Sequence, residues 1–266
     1  MLVEIPFIDK ISGFRIESPE VSPTALALVS LHSEMTVKKV GLTYHGAYPA
    51  LGPAIITANH LTTIDGPMML CVARRTAGRL GRAVTRDTIL YPHKLERDDV
   101  LRRTGKEGDE LAKGPMHLRK LRAALLRNCG AIAVRRGESD REMIRMSLDV
   151  LRNNEMLVIF LFETRNPDND FLAARPGAAF FGMKAPDVPI MPTGLSFESW
   201  VGSKPRGFVV NIGEPFTYQQ IRNQRGEDLS LKQFHTEVVK RVADLVPPSF
   251  KRCYLEAQGQ SLQVSQ

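Results

Sequence analysis

Apolar residues recur along the chain at two spacings, and the switches between them mark out elements. Prolines at Pro6, Pro19 and Pro23 interrupt the start, after which a helical period covers Ser22 to Val40. That helix reads first as a packing element and second as a membrane-facing amphipathic one. Leu42-Thr43-Tyr44 and Ala54-Ile55-Ile56-Thr57 read as short strands separated by a Gly/Pro turn. A helix is expected over Pro67 to Arg75, a strand over Arg82 to Thr85, and one helix, Met116 to Leu126, within a charged, glycine-interrupted stretch from Tyr91 to Arg127. Gly130 to Val134 alternates as a strand, Ser139 to Leu151 carries Ile144, Leu148 and Leu151 on one helical stripe, and Met156 to Phe162 is apolar throughout, as a fully buried central strand would be. A small-residue helix starts after Arg175-Pro176-Gly177, strands follow at Val188 to Thr193 and Val209 to Ile212, and Leu231, Phe234, Val238, Val242 and Leu245 define a last amphipathic helix. Strands alternating with helices predict one α/β domain with a mostly parallel central sheet flanked by helices, its functional site at the carboxyl ends of the strands.

The chain of 266 residues is long enough for a sizeable core. Its formal charge of +7 is unevenly spread. Between Cys71 and Arg152 twenty Lys or Arg face eleven Asp or Glu, so this third carries the excess and the remainder is close to neutral. Such a basic stretch suits an anionic partner: a phosphate-bearing substrate, an anionic membrane, an acidic carrier protein or nucleic acid. Low aromatic content and the lack of any helix-turn-helix, zinc-finger or RNP-like motif argue against nucleic acid. Three scattered cysteines, Cys71, Cys129 and Cys253, have no metal-ligand spacing and point to a reducing compartment without disulfides. No apolar run approaches the ~20 residues of a membrane span, and the start does not resemble a signal peptide. The expectation is a cytoplasmic protein that touches a membrane peripherally.

The chemistry concentrates in Thr57-Ala58-Asn59-His60-Leu61-Thr62-Thr63-Ile64-Asp65-Gly66-Pro67. Pro67 fits the first turn of a helix, so the helix begins between Thr63 and Gly66. On a continuous helix, five residues at about 100° each would turn His60 and Asp65 roughly 140° apart. They meet only if His60 precedes the helix and Asp65 sits in its first turn, where a carboxylate is electrostatically favoured. A histidine held by a carboxylate is what a general base needs, because the carboxylate sets the tautomer and stabilises the imidazolium.

Asn59-His60-x-Thr62-x-x-Asp65 resembles the first motif of the glycerophospholipid acyltransferases, the 1-acylglycerol-3-phosphate acyltransferase-like family with four residues between histidine and aspartate. Gly130 to Gly137 resembles its second motif, a strand ending in a phosphate-binding arginine, with Arg136 in that place and Arg135 as neighbour or substitute. A guanidinium suits the role as a permanently charged planar fork. The third motif, normally Phe-Pro-Glu-Gly-Thr-Arg, is altered to Phe160-Leu161-Phe162-Glu163-Thr164-Arg165. Either a glycine is lost and Glu163 keeps the glutamate role, the preferred register, or an ungapped register puts Phe162 there; Thr164 and Arg165 survive in both. Arg86 stands where the family often has lysine, and Val188 to Thr193 is similar to the fourth motif. The resemblance runs over about residues 40 to 255, dividing the chain into an N-terminal helical or irregular segment (1–40), an acyltransferase domain (41–255) and a polar, disordered tail (256–266).

The resemblance implies transfer of a fatty acyl group from a thioester to the hydroxyl of a lysophosphatidate-like lysophospholipid in phospholipid biosynthesis. His60 would be the base, Asp65 its orienting partner, and Arg136, Thr164 and Arg165 the phosphate ligands, with Glu163, Arg135 and Arg86 as further candidates. It implies no metal or prosthetic group. Acyl-coenzyme A or an acylated carrier protein serves as cosubstrate, and the partners are the lipid acceptor and an anionic membrane surface. Two alternatives stay open: another acceptor, such as glycerol 3-phosphate, a glycolipid or an aminolipid, or a non-catalytic basic membrane-surface protein that keeps the fold.

Overall fold

The computed structural model describes residues 21–91, 115–134, 140–166, 170–201 and 204–250. A helix, α1 (Pro23–Val40), leads into strand β1 (Leu42–His45), and a Gly/Pro turn connects this to β2 (Ala54–Ala58). Then follow α2 (Asp65–Ala77), β3 (Arg82–Arg86) and a single turn, α3 (Asp87–Leu90). After them come α4 (Met116–Asn128), β4 (Ile132–Val134), α5 (Arg141–Arg152) and β5 (Met156–Phe160). The last part contains α6 (Gly177–Lys184), β6 (Ile190–Val201), β7 (Lys204–Ile212), α7 (Tyr218–Arg225) and α8 (Leu231–Asp244).

The strands form one sheet in the order β1-β7-β6-β2-β5-β3-β4. All neighbours are parallel except β6 and β7, which form an antiparallel hairpin. The carboxyl ends of β6, β2, β5, β3 and β4 therefore share one edge, as expected for an α/β domain. This is the predicted fold class, a single α/β domain around a mostly parallel sheet.

The two faces of the sheet bury separate apolar layers, because successive strand residues point to opposite sides. Ile55, Leu157 and Ile190 face α6 and α8 with Phe181, Phe234 and Val238, while Ile56, Val158 and Leu195 face α2 with Met68 and Val72. Every residue of β2 is buried, since it lies at the middle of the seven strands with cover on both faces. Three of the helices are stopped or started by a local device. Gly78 ends α2 in the left-handed region at φ 69°, and reciprocal capping boxes of Thr217 with Gln220 and Ser230 with Gln233 start α7 and α8.

Several bounds differ from the sequence reading for physical reasons. β5 stops at Phe160, two residues short, because the chain turns away after Leu161 donates its N–H to Ala58 O at 2.8 Å. β6 runs on to Val201, well past the expected Thr193, and pairs with a longer β7. Gly194 interrupts the strand pattern there because a Cβ would come within 2.6 Å of Leu245 O, just past the end of α8. Helix α7 was not anticipated, since only Tyr218 and Ile221 of its polar sequence are buried.

Candidate active site

The site begins where β2 ends. Ala58 is paired with Phe160 of β5 on one side and Thr193 of β6 on the other, so the chain leaves the sheet between two strands. Asn59 follows, fully buried, and its amide grips the next strand: Oδ1 accepts from Leu195 N at 2.7 Å and Nδ2 donates to Leu195 O at 2.9 Å. The loop carrying His60 is thereby fixed to β6.

Helix α2 starts at Asp65, inside the interval that Pro67 allowed. Its N-cap, Ile64, has no side chain able to accept, and the Asp65 carboxylate instead reaches back over the preceding loop. Oδ2 accepts from His60 Nδ1 at 2.7 Å, from Leu61 N at 2.5 Å and from Thr62 N at 2.9 Å, while Oδ1 accepts from Thr62 Oγ1 at 2.7 Å. Four donors compensate for burying this charge completely, a burial that would otherwise be strongly unfavourable. Because the carboxylate only accepts, Nδ1 carries the proton, which leaves Nε2 of a neutral imidazole with its lone pair.

A second contact fixes the plane of the ring. Phe160 stacks on His60 with centroids 4.3 Å apart and planes 21° from parallel. The His60 side chain keeps 23 % of its surface exposed, so the ring is held from one side and open on another. That combination suits proton transfer at Nε2.

The third-motif loop is tied to this histidine through the backbone. It leaves β5 at Leu161, donates from Asn166 N to His60 O at 2.6 Å, and closes where Arg175 N donates to Leu161 O at 2.7 Å. Thr164 is exposed and Arg165 half-buried within that loop. Glu163 is exposed and faces Arg175, with Nε to Oε1 at 3.2 Å, whereas Phe162 is buried and its ring lies 5.7 Å from that of Phe171. The loop's return is tied to α8, where His235 Nε2 donates to Ala174 O at 3.2 Å. Burial lowers the pKa of His235 below the ordinary histidine value, the backbone contact opposing this in part.

Arg86 ends β3, one strand beyond β5, and is half-buried. Its register partner is Val134, the last residue of β4. Arg135 and Arg136 follow Val134 directly in sequence and lie outside the described residues, as do the whole of the expected tail 256–266 and most of the charged stretch before α4. Among the described residues no three His, Cys, Asp or Glu side chains converge in a metal-binding group. Sequence reasoning gave no role to Asn59, Phe160 or Asn166. Asn59 stood within the first motif and Phe160 within the expected strand Met156 to Phe162, but their partners come from distant parts of the chain.

Comparison with known proteins bears on this geometry. The model of the Acyltransferase family matches residues 111–196, a segment that includes β4, β5 and the third-motif loop but not His60 or Asp65. No curated protein matches the chain by sequence. Among solved structures, the 1-acyl-sn-glycerophosphate (LPA) acyltransferase PlsC from Thermotoga maritima is similar, with a TM-score of 0.53 and 18 % identity over 83 % of this chain and 79 % of that one. The chain therefore carries a segment, residues 111–196, similar to the Acyltransferase family, on a fold shared with that PlsC acyltransferase.

Proposed function

We propose that the protein moves a fatty acyl group from an acyl thioester to the hydroxyl of a lysophosphatidate-like acceptor, working at an anionic membrane surface. The observation that carries this reading is the 2.7 Å bond between His60 Nδ1 and a fully buried Asp65, on a ring stacked against Phe160. His60 Nε2 takes the proton of the acceptor hydroxyl as its oxygen attacks the thioester carbonyl. A carbon–oxygen bond forms, the carbon–sulfur bond breaks as the tetrahedral intermediate collapses, and the thiolate leaves with the proton returned by the imidazolium. Asp65 holds the tautomer and offsets the imidazolium charge. Attack by the acceptor itself needs no acyl-enzyme. Arg136, Thr164 and Arg165 are proposed to bind the acceptor phosphate, with Arg86, Arg135 and Glu163 near it, and either acyl-coenzyme A or an acylated carrier protein is proposed as donor.

Mass spectrometry of products from purified protein given mixed lysophospholipids and a labelled acyl thioester tests the proposal. A diacyl product with wild type and none with folded His60→Ala is expected; equal product from both would overturn the assignment of the base, and no acyl product with any acceptor would overturn the reaction.

One observation favours a different acceptor within the same reaction class. Glu163 turns to Arg175 at the surface, and Phe162, the other residue available for the glutamate position, packs on Phe171. An acceptor whose headgroup does not require that carboxylate, such as a glycolipid or aminolipid, fits this arrangement, and the same mixed-acceptor assay distinguishes it.

A further inference from the structure

Phe160 closes β5 in register with Ala58 of β2, and Leu161, the next residue, donates its N–H to Ala58 O at 2.8 Å. The third motif ordinarily has proline where Leu161 stands, and proline has no N–H to donate. The end of β5 is therefore tied to the strand that leads to His60 by a bond that a proline could not make. Phe160 itself packs, partly buried, against the apolar layer that includes Met68, Val72 and Val158, so its ring is supported by the core.

A histidine side chain has two torsions to fix. The bond from Nδ1 to Asp65 Oδ2, 2.7 Å long, places Nδ1. It leaves the ring free to hinge about the line from Cβ to Nδ1, because the second torsion of histidine lacks sharp staggered wells. About that line a tilt of roughly 30° carries Nε2 by about 1 Å, a misplacement that costs on the order of a hundredfold in rate. The stack on Phe160, with centroids 4.3 Å apart and planes 21° from parallel, opposes this hinge.

The stack also strengthens as the reaction proceeds. Neutral imidazole gains mainly packing from the phenyl face, whereas an imidazolium within about 6 Å of the centroid is a cation attracted by the ring quadrupole. An interaction that grows only once the base has taken its proton lowers the barrier instead of tightening the ground state. We infer that Phe160 is the second positioning residue of His60, beside Asp65: its ring face fixes the tilt of the imidazole and steadies the imidazolium formed when the acceptor hydroxyl loses its proton. The inference rests on the proposed acyl transfer, in which His60 is the base.

The test uses the full chain with Phe160→Leu, which keeps an apolar side chain and removes the ring. A second series replaces Phe160 with mono-, di- and pentafluorophenylalanine, which nearly keep the ring's outline while weakening and then reversing the negative charge of its face. Circular dichroism establishes that each folds. In proton NMR the carbon-bound ring protons of His60 should lie upfield in wild type through the ring current of Phe160, and this displacement should vanish in Phe160→Leu. Steady-state kinetics should show kcat of Phe160→Leu lowered about ten- to a hundredfold, with donor and acceptor KM each within about threefold of wild type. Along the fluorinated series kcat should fall stepwise, by about two- to thirtyfold at pentafluorophenylalanine. A residue that only fills the core would leave that series flat, so a flat series overturns the inference. So do a wild-type kcat in Phe160→Leu, a loss confined to KM, and a wild type without the upfield displacement. Should Phe160→Leu fail to fold, the fluorinated series decides by itself. A wild type inactive on every thioester and acceptor, in which the displacement is present and is lost with the ring, removes the proposed reaction and upholds the grip of Phe160 on His60.

Discussion

The side-chain amide of Asn59 completes both backbone hydrogen bonds of Leu195, a residue 136 positions further along the chain. It stands in for a strand neighbour at the point where β2 has ended and β6 continues, and so couples the loop of His60 to the sheet. In Asn59→Ala both buried backbone groups of Leu195 lose their partner. Each such loss costs about 1–3 kcal/mol, so denaturant unfolding should show the variant at least about 2 kcal/mol less stable. Asn59→Asp should fare no better, because its second oxygen would face Leu195 O where an N–H now donates. Wild-type stability in Asn59→Ala would show that β6 does not hold the loop.

Asp65→Asn separates orientation from mere presence of the ring. An amide offers one accepting oxygen where the carboxylate offers two, yet four donors converge on it. If that oxygen stays with the Leu61 and Thr62 N–H groups, the amide N–H₂ faces His60 Nδ1 and drives the proton to Nε2. The base is then in the wrong tautomer. Turnover should fall by roughly 10²–10⁴, with the imidazole still stacked on Phe160 and the fold preserved. Stopped or steady-state kinetics on the folded variant measure this, and a loss below about tenfold would mean that Asp65 serves the loop rather than the histidine.

Much of this architecture could be read from the sequence because single elements announce themselves locally. Ala54 to Thr57 and Met156 to Phe160 are apolar runs bounded by turns, and Pro67 limits where α2 can start. The meeting of His60 with Asp65 is likewise local, five residues apart. What could not be read depends on distant partners. Gly194 looks like the end of a strand until Leu245 O is seen to occupy the space of its side chain, and the β6–β7 hairpin was lost with it. Phe160 looks like one more core residue until β2 brings His60 alongside. Helix α7 hid for another reason: its capping box, Thr217 with Gln220, is a local signal, but a helix burying only Tyr218 and Ile221 shows almost no apolar period.

His235 should leave a mark on acid stability. Its Nε2–H donates to Ala174 O, and its Nδ1 is buried with no partner, so burial holds the pKa below the ordinary histidine value. Above that ordinary value, about 6.5, neither folded nor unfolded chain binds the proton, and stability is unaffected. As pH falls below it the unfolded chain takes up a proton that the folded one refuses, so stability declines until the lowered folded value is passed. His235→Gln keeps a donor for Ala174 O and removes the titration. The variant should show a shallower loss of stability than wild type as pH falls below about 6.5 in parallel denaturant titrations. Identical slopes would mean that His235 is protonated as readily in the folded protein as outside it.

Acceptor recognition can be separated from chemistry through the arginines. Arg165 lies in the loop that Asn166 N ties to His60 O, and Arg136 follows two residues after Val134, whose strand ends beside Arg86 on the same edge of the sheet. A permanent charge on a non-reacting phosphate acts mainly in binding, so Arg165→Ala and Arg136→Ala should each raise the acceptor KM and leave the donor KM almost unchanged. Loss of one charge-assisted contact costs about 1.5–3 kcal/mol, equivalent to roughly ten- to a hundredfold. Some fall in kcat should accompany it, because binding at the phosphate positions the hydroxyl against His60. Lysine at either position should restore activity only in part, supplying charge without the planar fork. Glu163→Gln serves as the contrast: it breaks only a surface pair with Arg175, both partners about half exposed or more, and pairs of that kind are worth little. If Glu163→Gln altered acceptor kinetics as strongly as the arginine variants, the carboxylate would have to leave Arg175 for the substrate during turnover. If the arginine variants left acceptor kinetics untouched, the glycerophosphate assignment would fall and acyl transfer to a phosphate-free acceptor would take its place.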